Sequence, residues 1–342
     1  MPEPTSIALS GAPGSPYTRK MLALLRYRRI PYRLLPTEGP ALAGLPQPKV
    51  RLLPTFYWPE PDGALVAVTD STPIIRRLER ERPGRSVIPE TPALAFLDEL
   101  IEDYADEWLT KAMFHYRWAF AEDVRKAGRQ LPLWRNLAQS DETLASTSRL
   151  ISERQIPRLR FVGSNPTTGP VIEASYRRFL DIFETHLQST PYLLGDRPGS
   201  CDFAVYGQLT QLAHFDPTPM ALTLEVAPRV CAWVDLMEDR TGLEPTASDW
   251  RGALDLPPTL RALLTEIGRT YAPVMLANAK ALQSAAEQVE TEVDGKAWIQ
   301  QPFPYQGKCL VWLRESYARL DSDSRDMVDG LLAGTGCVAL FS

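Results

Sequence analysis

The hydrophobic pattern of the first 90 residues switches between short apolar runs and helical spacing. Runs over 5–10, 31–35, 54–58 and 64–69 have strand length, whereas 16–28 and 72–82 carry apolar residues three and four apart. Between the last two runs, Pro59-Glu60-Pro61-Asp62-Gly63 predicts a hairpin turn, because Pro presets φ, Asp bonds to nearby backbone and Gly accepts a left-handed conformation. The Pro- and Gly-rich stretch 36–49 reads as irregular. After Glu81-Arg82-Pro83-Gly84-Arg85 breaks the pattern, the chain turns helical from Thr91, with Leu94, Leu97, Ile101, Tyr104, Trp108, Ala112 and His115 on one stripe. Further helices are predicted near 141–155, 171–188, 200–213 and 226–238. Pro257-Pro258 opens another helical region that Pro273 is expected to kink. Residues 298–305 read as an extended aromatic segment, and 309–314 resume a helix.

Composition narrows the class. The 342 residues, 44 % of them hydrophobic, suffice for two domain cores. No apolar stretch approaches the ~20 residues that span a bilayer, and the N-terminus shows no charged-then-apolar leader, so the expectation is a cytoplasmic protein without a membrane partner. Cys201, Cys231, Cys309 and Cys337 are dispersed without a C-x-x-C pair, and His115, His186 and His214 are scattered. Neither a disulfide framework nor a metal site is expected. The net charge of −5 argues against a nucleic-acid partner, which requires clustered cations facing phosphates. Residues 1–88 nevertheless hold 13 Lys and Arg against 7 Asp and Glu. That balance suits an anionic ligand, although Arg76, Arg77, Arg80 and Arg82 also fit the solvated face of one helix.

Two short motifs supply anion-binding geometry. Gly14-Ser15-Pro16-Tyr17 follows the first strand, and Pro16 fits the first position of a helix, where its missing N–H costs nothing. Ser15 then lies at a helix N-terminus, where unpaired N–H groups and the positive dipole end favour a negative charge. Asp70-Ser71-Thr72-Pro73 has the same form ahead of the next helix. A small ligand bearing a carboxylate and a thiolate would suit both ends, while plain helix capping by Ser15, Asp70 or Ser71 is the competing reading.

With Leu53-Pro54-Thr55 between them, and with Tyr192-Leu193-Leu194-Gly195-Asp196-Arg197-Pro198-Gly199-Ser200-Cys201-Asp202-Phe203 further on, these motifs resemble the glutathione transferase superfamily over roughly residues 5–240. The resemblance implies a thioredoxin-like α/β domain over 1–86 that binds glutathione and an all-α domain over 91–250 that borders the electrophile. It also implies Ser15 as the thiol-activating residue, Leu53 and Pro54 as the peptide-pairing cis-proline segment, Asp70 and Ser71 as the γ-glutamyl holders, and Tyr17 beside the ligand. Gly199 stands where the family places a Ser or Thr cap, with Asp202 keeping the other half of that box. Family members commonly end near residue 250, so 251–342 reads as an added helical extension packed on the helical domain, either as a further packing layer or as a wall over the electrophile.

The implied reaction is attack of a glutathione thiolate on a small hydrophobic electrophile, by addition, isomerisation or ether cleavage. The family pattern also allows a homodimer. A Ser rather than a Cys at position 15 speaks against disulfide exchange, and the absence of a G-x-S-x-G turn speaks against a serine hydrolase. The competing class is a non-catalytic binding or scaffold protein of the same fold. Two further features have bland readings: Glu102, Asp103, Asp106 and Glu107 as a solvated acidic face, and His115 as an interior histidine.

Overall fold

The computed structural model describes residues 6–342. Thr5, which the hydrophobic pattern places in the first strand, lies outside them. The N-terminal part is β1 (Ile7–Ser10), α1 (Pro16–Tyr27), β2 (Tyr32–Leu35), β3 (Thr55–Pro59), β4 (Leu65–Val68) and α2 (Ser71–Glu81). Its sheet has the order β2-β1-β3-β4, with β1 and β2 parallel and the other pairs antiparallel. This is the thioredoxin-like α/β arrangement that the pattern of runs implied.

The register fixes where the ligand motifs fall. Ser10 pairs with Thr55, and Phe56 with Val68. Two residues further along the same ladder, Asp70 stands beside Pro54, so the exits of β1 and β4 and the start of β3 share one end of the sheet. Ser15 caps α1 by accepting from the Thr18 N–H at 3.2 Å, with Pro16 at the first helical position as its fixed φ favours.

The remainder is mainly helical: α3 (Pro92–Tyr104), α4 (Thr110–Ala119), α5 (Ala121–Leu133), α6 (Asp141–Gln155), α7 (Gly169–His186), α8 (Ser200–Leu212), α9 (Pro217–Val226) and α10 (Pro228–Met237). The helix expected near 226–238 is preceded by α9, with Pro228 opening α10. Every residue of α8 is buried. Asp202 fastens its start, accepting from the N–H groups of Gly199 at 2.9 Å and Leu193 at 3.0 Å. Gly207 lets α8 lie directly against α1, since a Cβ there would come within 2.6 Å of the Pro16 carbonyl oxygen.

Between α3 and α4 the apolar stripe runs through one π-helical turn, Ala105–Leu109, all five residues of which are buried. A π-turn holds an extra residue and widens the helix. Asp106 and Glu107 enter the interior there together with Trp108.

Past residue 250 come α11 (Pro258–Gln283), an antiparallel hairpin of β5 (Val289–Val293) and β6 (Lys296–Gln300), α12 (Pro304–Ala318) and α13 (Ser322–Leu332). α11 runs through Pro273 as one helix. The hairpin is the non-helical element of this region; of the extended segment expected over 298–305, Trp298 to Gln300 lie in β6, while α12 already begins at Pro304, ahead of the helix expected from 309. Trp298 is fully buried against Trp108, with ring centroids 5.2 Å apart. Arg178 on α7 holds Glu266 on α11 at 2.8 and 2.9 Å, and Phe96 on α3 meets Phe341 edge-on at 5.2 Å.

Such burial makes the hairpin part of the core. Trp298→Ala should cost about 3–5 kcal/mol, the usual range for deleting a buried aromatic. Chemical denaturation read against the wild type checks this. A change under about 1 kcal/mol, the range of surface substitutions, would show the hairpin to be peripheral.

Candidate active site

The β1–α1 turn is held by the helical part of the chain. Arg117 on α4 donates to the Gly14 carbonyl at 2.9 Å, and Gln211 on α8 donates to the Pro13 carbonyl at 3.1 Å. Arg117 is itself fixed by Asp216 at 2.9 Å and by Gln211 at 2.7 Å. Arg117 thus does not pair with the acidic residues of α3; it seats the loop that carries Ser15. Leu131 and Trp134 cover Gly14, where a Cβ would come within 2.4 and 2.7 Å of their side chains. Trp134 also lines an open cleft of about 460 Å³ with Arg125, Lys126, Arg129, Leu133 and Leu137.

Ser15 is half-buried at the start of α1. Its hydroxyl donates to the Leu53 carbonyl at 3.2 Å while accepting from Thr18. The Leu53–Pro54 peptide bond is cis. Ser15, Leu53 and Pro54 therefore meet, as the motifs predicted. Tyr17 turns the other way: its hydroxyl donates to the Asp106 carbonyl at 2.8 Å and reaches Thr110 Oγ1 at 3.4 Å.

At the start of α2 the two readings of Asp70 separate. Asp70 makes no side-chain cap bond and has a φ of 85°, outside the range that L residues favour. Burial raises the Asp70 pKa, against the lowering effect of the Tyr305 hydroxyl and of the Lys308 charge, both on α12. Ser71 is buried, and its oxygen accepts from the Lys20 ammonium at 3.2 Å.

Lys20 escaped the sequence reading. It lies in α1 without solvent exposure, pairing with Glu102 at 2.7 Å and Asp106 at 2.6 Å. Its signal was a lysine placed on the apolar side of a helix, next to Met21 and Leu24. Burial would lower its pKa; the charges of Asp106 and Glu102 outweigh this and keep it protonated. Glu102 also accepts from Thr72 at 3.0 Å, Arg76 at 3.1 Å and Ser200 at 2.9 Å. Burial alone would raise Glu102, but Lys20 and Arg76 hold it down to about 2.

The acidic run on α3 is thus not a solvated face: Glu102, Asp106 and Glu107 are all buried. The counter-charge comes from α1 and α2, more than 25 residues away in sequence, and the covering surface from the C-terminal region. The Tyr271 hydroxyl donates to Asp103, and Gln306 donates to the Glu107 carbonyl at 3.3 Å. His115 is an interior residue, bonded through Nδ1 to Ser164 at 2.7 Å and through Nε2 to Glu173 at 3.3 Å. Among the described residues, no helix is long and apolar enough to cross a membrane.

The sequence matches family models for the glutathione S-transferase N-terminal domain over residues 9–86 and C-terminal domain over 136–236, together just over half of the chain. No curated protein matches it. Among solved structures it is similar to the beta-etherase LigF of Sphingobium sp. strain SYK-6, at 20 % identity over 69 % of this chain and 96 % of that one, with a TM-score of 0.48. It is also similar to a Tau class glutathione S-transferase from mango, at 16 % identity over 72 % and 96 %, with a TM-score of 0.42. A glutathione transferase of Burkholderia graminis, which holds two glutathione molecules per subunit, is similar at 15 % identity over 77 % and 89 %, with a TM-score of 0.42.

Two consequences are measurable. Removing the buried cation by Lys20→Met leaves Glu102 and Asp106 facing each other and should destabilise the protein by about 3–5 kcal/mol, the range for breaking one side of a buried ion pair. Urea denaturation checks it, and a loss below about 1 kcal/mol, as for an exposed pair, would contradict it. Asp103, raised chiefly by burial and opposed by the Tyr271 hydrogen bond, titrates at about 7 instead of 3.8. The folded state binds this proton more tightly than the unfolded chain does, so the carboxyl favours folding at acid pH and the benefit fades as pH rises towards 7. Asp103→Asn should flatten the fall of the urea midpoint between pH 5 and pH 8; an unchanged slope would remove Asp103 from the pH dependence.

Proposed function

The chain belongs to the glutathione transferase superfamily, and on that footing we propose that it binds glutathione where the starts of α1 and α2 face the Leu53 carbonyl, and activates its thiol for attack on a small hydrophobic electrophile. The observation that carries this reading is Ser15, poised at a helix N-terminus 3.2 Å from the Leu53 carbonyl oxygen. In the bound state that carbonyl, with Pro54 behind it, would accept from the peptide N–H of the ligand. The Ser15 hydroxyl, freed from that carbonyl, keeps its proton and donates a hydrogen bond to the sulfur. Ser71 fits the γ-glutamyl carboxylate, because its oxygen already accepts from Lys20 and its own proton remains free to donate. Asp70 supplies the acceptor for the neighbouring ammonium. Tyr17, its hydroxyl committed to Asp106, anchors the loop.

A free thiol titrates near 8.5, so little of it is thiolate at neutral pH. Lowering that value by ~2 units takes about 2.7 kcal/mol of preferential anion stabilisation. One charge-assisted hydrogen bond from Ser15 and the dipole of α1 are of that order. We place the electrophile in the cleft lined by Trp134, since this ring also covers Gly14 beside Ser15. Residues 1–86 would then carry the peptide site and residues 91–250 the electrophile side.

A second reading has an observation of its own. The Ser15 proton is spent on the Leu53 carbonyl, an internally satisfied arrangement that suits a non-catalytic binding or scaffold protein. Retention on immobilised glutathione followed by turnover of an aryl halide separates the two readings. Absence of both overturns the enzyme.

For an active enzyme, Ser15→Ala should lower glutathione-dependent turnover by ~10- to 100-fold without loss of the fold, as the removal of one hydrogen bond to a charged group implies. The pH profile of thiolate formation in the complex is the decisive measurement: an unchanged profile excludes Ser15. Ser71→Ala should raise the KM for glutathione more than it lowers kcat, because its contact is remote from the sulfur. Calorimetric titration showing wild-type affinity would refute that assignment.

A further inference from the structure

We propose that the cleft along α5 takes an aromatic acid, so that the electrophile lays a ring against Trp134 and Leu133 and has its carboxylate held by Arg125, Lys126 and Arg129. This rests on the glutathione reading above, in which the electrophile lies in that cleft, and adds the chemical class to which it belongs.

The cleft has two unlike ends. Its volume of about 460 Å³ lies within the range usual for small-ligand sites, about 300–1,000 Å³. Leu133, Trp134 and Leu137 line one end and Arg125, Lys126 and Arg129 the other, with no carboxylate among the described lining residues. The division follows from α5 itself: positions 125, 129 and 133 recur four apart and share one face, so the cations precede the apolar residues along the helix. At a rise of ~1.5 Å per residue, Arg129 stands about 6 Å from Leu133. A benzene ring separates opposite substituents by a similar distance.

The apolar end adjoins Ser15. Leu131 and Trp134 crowd Gly14, and Trp134 packs on Phe215 with ring centroids 5.0 Å apart. Arg117, which donates to the Gly14 carbonyl, lies over the same Phe215 ring at 4.9 Å. The cationic end is poorly neutralised. Arg129 is exposed and makes no hydrogen bond or ion pair among the described residues. Lys126 donates to the Phe215 carbonyl and stands over that ring at 4.8 Å, contacts that leave its charge in place. Arg125 pairs with Glu122 on the same helix, but both are exposed, and such pairs are weak. The buried Asp216 is already bonded to Arg117 at 2.9 Å. An arenecarboxylate matches both ends at once: the ring covers apolar surface, and the guanidinium forks suit a carboxylate. A neutral ring would leave the cations idle, and a plain anion would leave Trp134 and Leu133 uncovered.

The experiment compares S-benzylglutathione with S-(4-carboxybenzyl)glutathione by calorimetric titration of the full chain, with S-methylglutathione as the probe of the peptide site alone. The two benzyl conjugates differ only in the carboxylate, so their affinity ratio within one protein cancels any change in folding or in the peptide site. A merely solvated basic face would give a ratio of one. Expected in the wild type is about five-fold tighter binding of the carboxylated conjugate, the scale of an exposed ion pair, with the preference shrinking as salt is raised. In the double variant Arg125→Gln, Arg129→Gln, at two exposed positions, the ratio should fall towards one. If S-methylglutathione binds but the wild type takes the two conjugates equally or not at all, or if the ratio survives the double variant, the aromatic-acid assignment is overturned while the glutathione reading stands. If none of the three binds, the glutathione reading falls and the assignment with it.

Discussion

The ammonium of Lys20 joins three parts of the molecule that have little else in common. It leaves α1 and meets Ser71 at the start of α2, Glu102 on α3 and Asp106 in the π-turn. A lone ammonium in that position would be strongly disfavoured, as would either carboxylate without it. Each of these elements is therefore held to the others by the requirement that buried charge be matched. The candidate site inherits its geometry from this: the starts of α1 and α2, between which the ligand is proposed to bind, are linked through one lysine.

The helical part contributes more than a second wall. Arg117 and Gln211 reach into the β1–α1 turn and take up its carbonyls, so Ser15 is positioned from α4 and α8 as well as from its own sheet. Electrostatic preorganisation is strongest where donors are fixed before the charge develops. A loop pinned from two directions meets that condition better than one resting on the sheet alone.

Local patterns made much of this legible. Pro16 behind Ser15, the Pro-Asp-Gly turn and the alternation of short runs gave the sheet domain its order, because each is settled by neighbouring residues. The motifs at 15, 53–54 and 70–71 were likewise readable and do converge. What escaped was set by distant partners. An acidic run on a helix reads as solvated unless its counter-charge is visible, and Lys20 lies more than 80 residues upstream of Glu102. Asp70 has the composition of a helix cap, yet at a φ of 85° its side chain makes no cap bond. The π-turn has no recognised sequence signature, although it decides that Asp106 and Glu107 point inward.

Helix α8 is buried on all its faces, against α1 on one side and the other helices around it. Its surface is shared property: without the sheet domain one flank of α8 would lie bare, and without α8 the sheet domain would lack the cover over α1. The linker near Pro83 and Gly84 marks a boundary in the chain but not in cooperativity. Cutting it would leave two halves that still need each other, and heat should melt both in one transition.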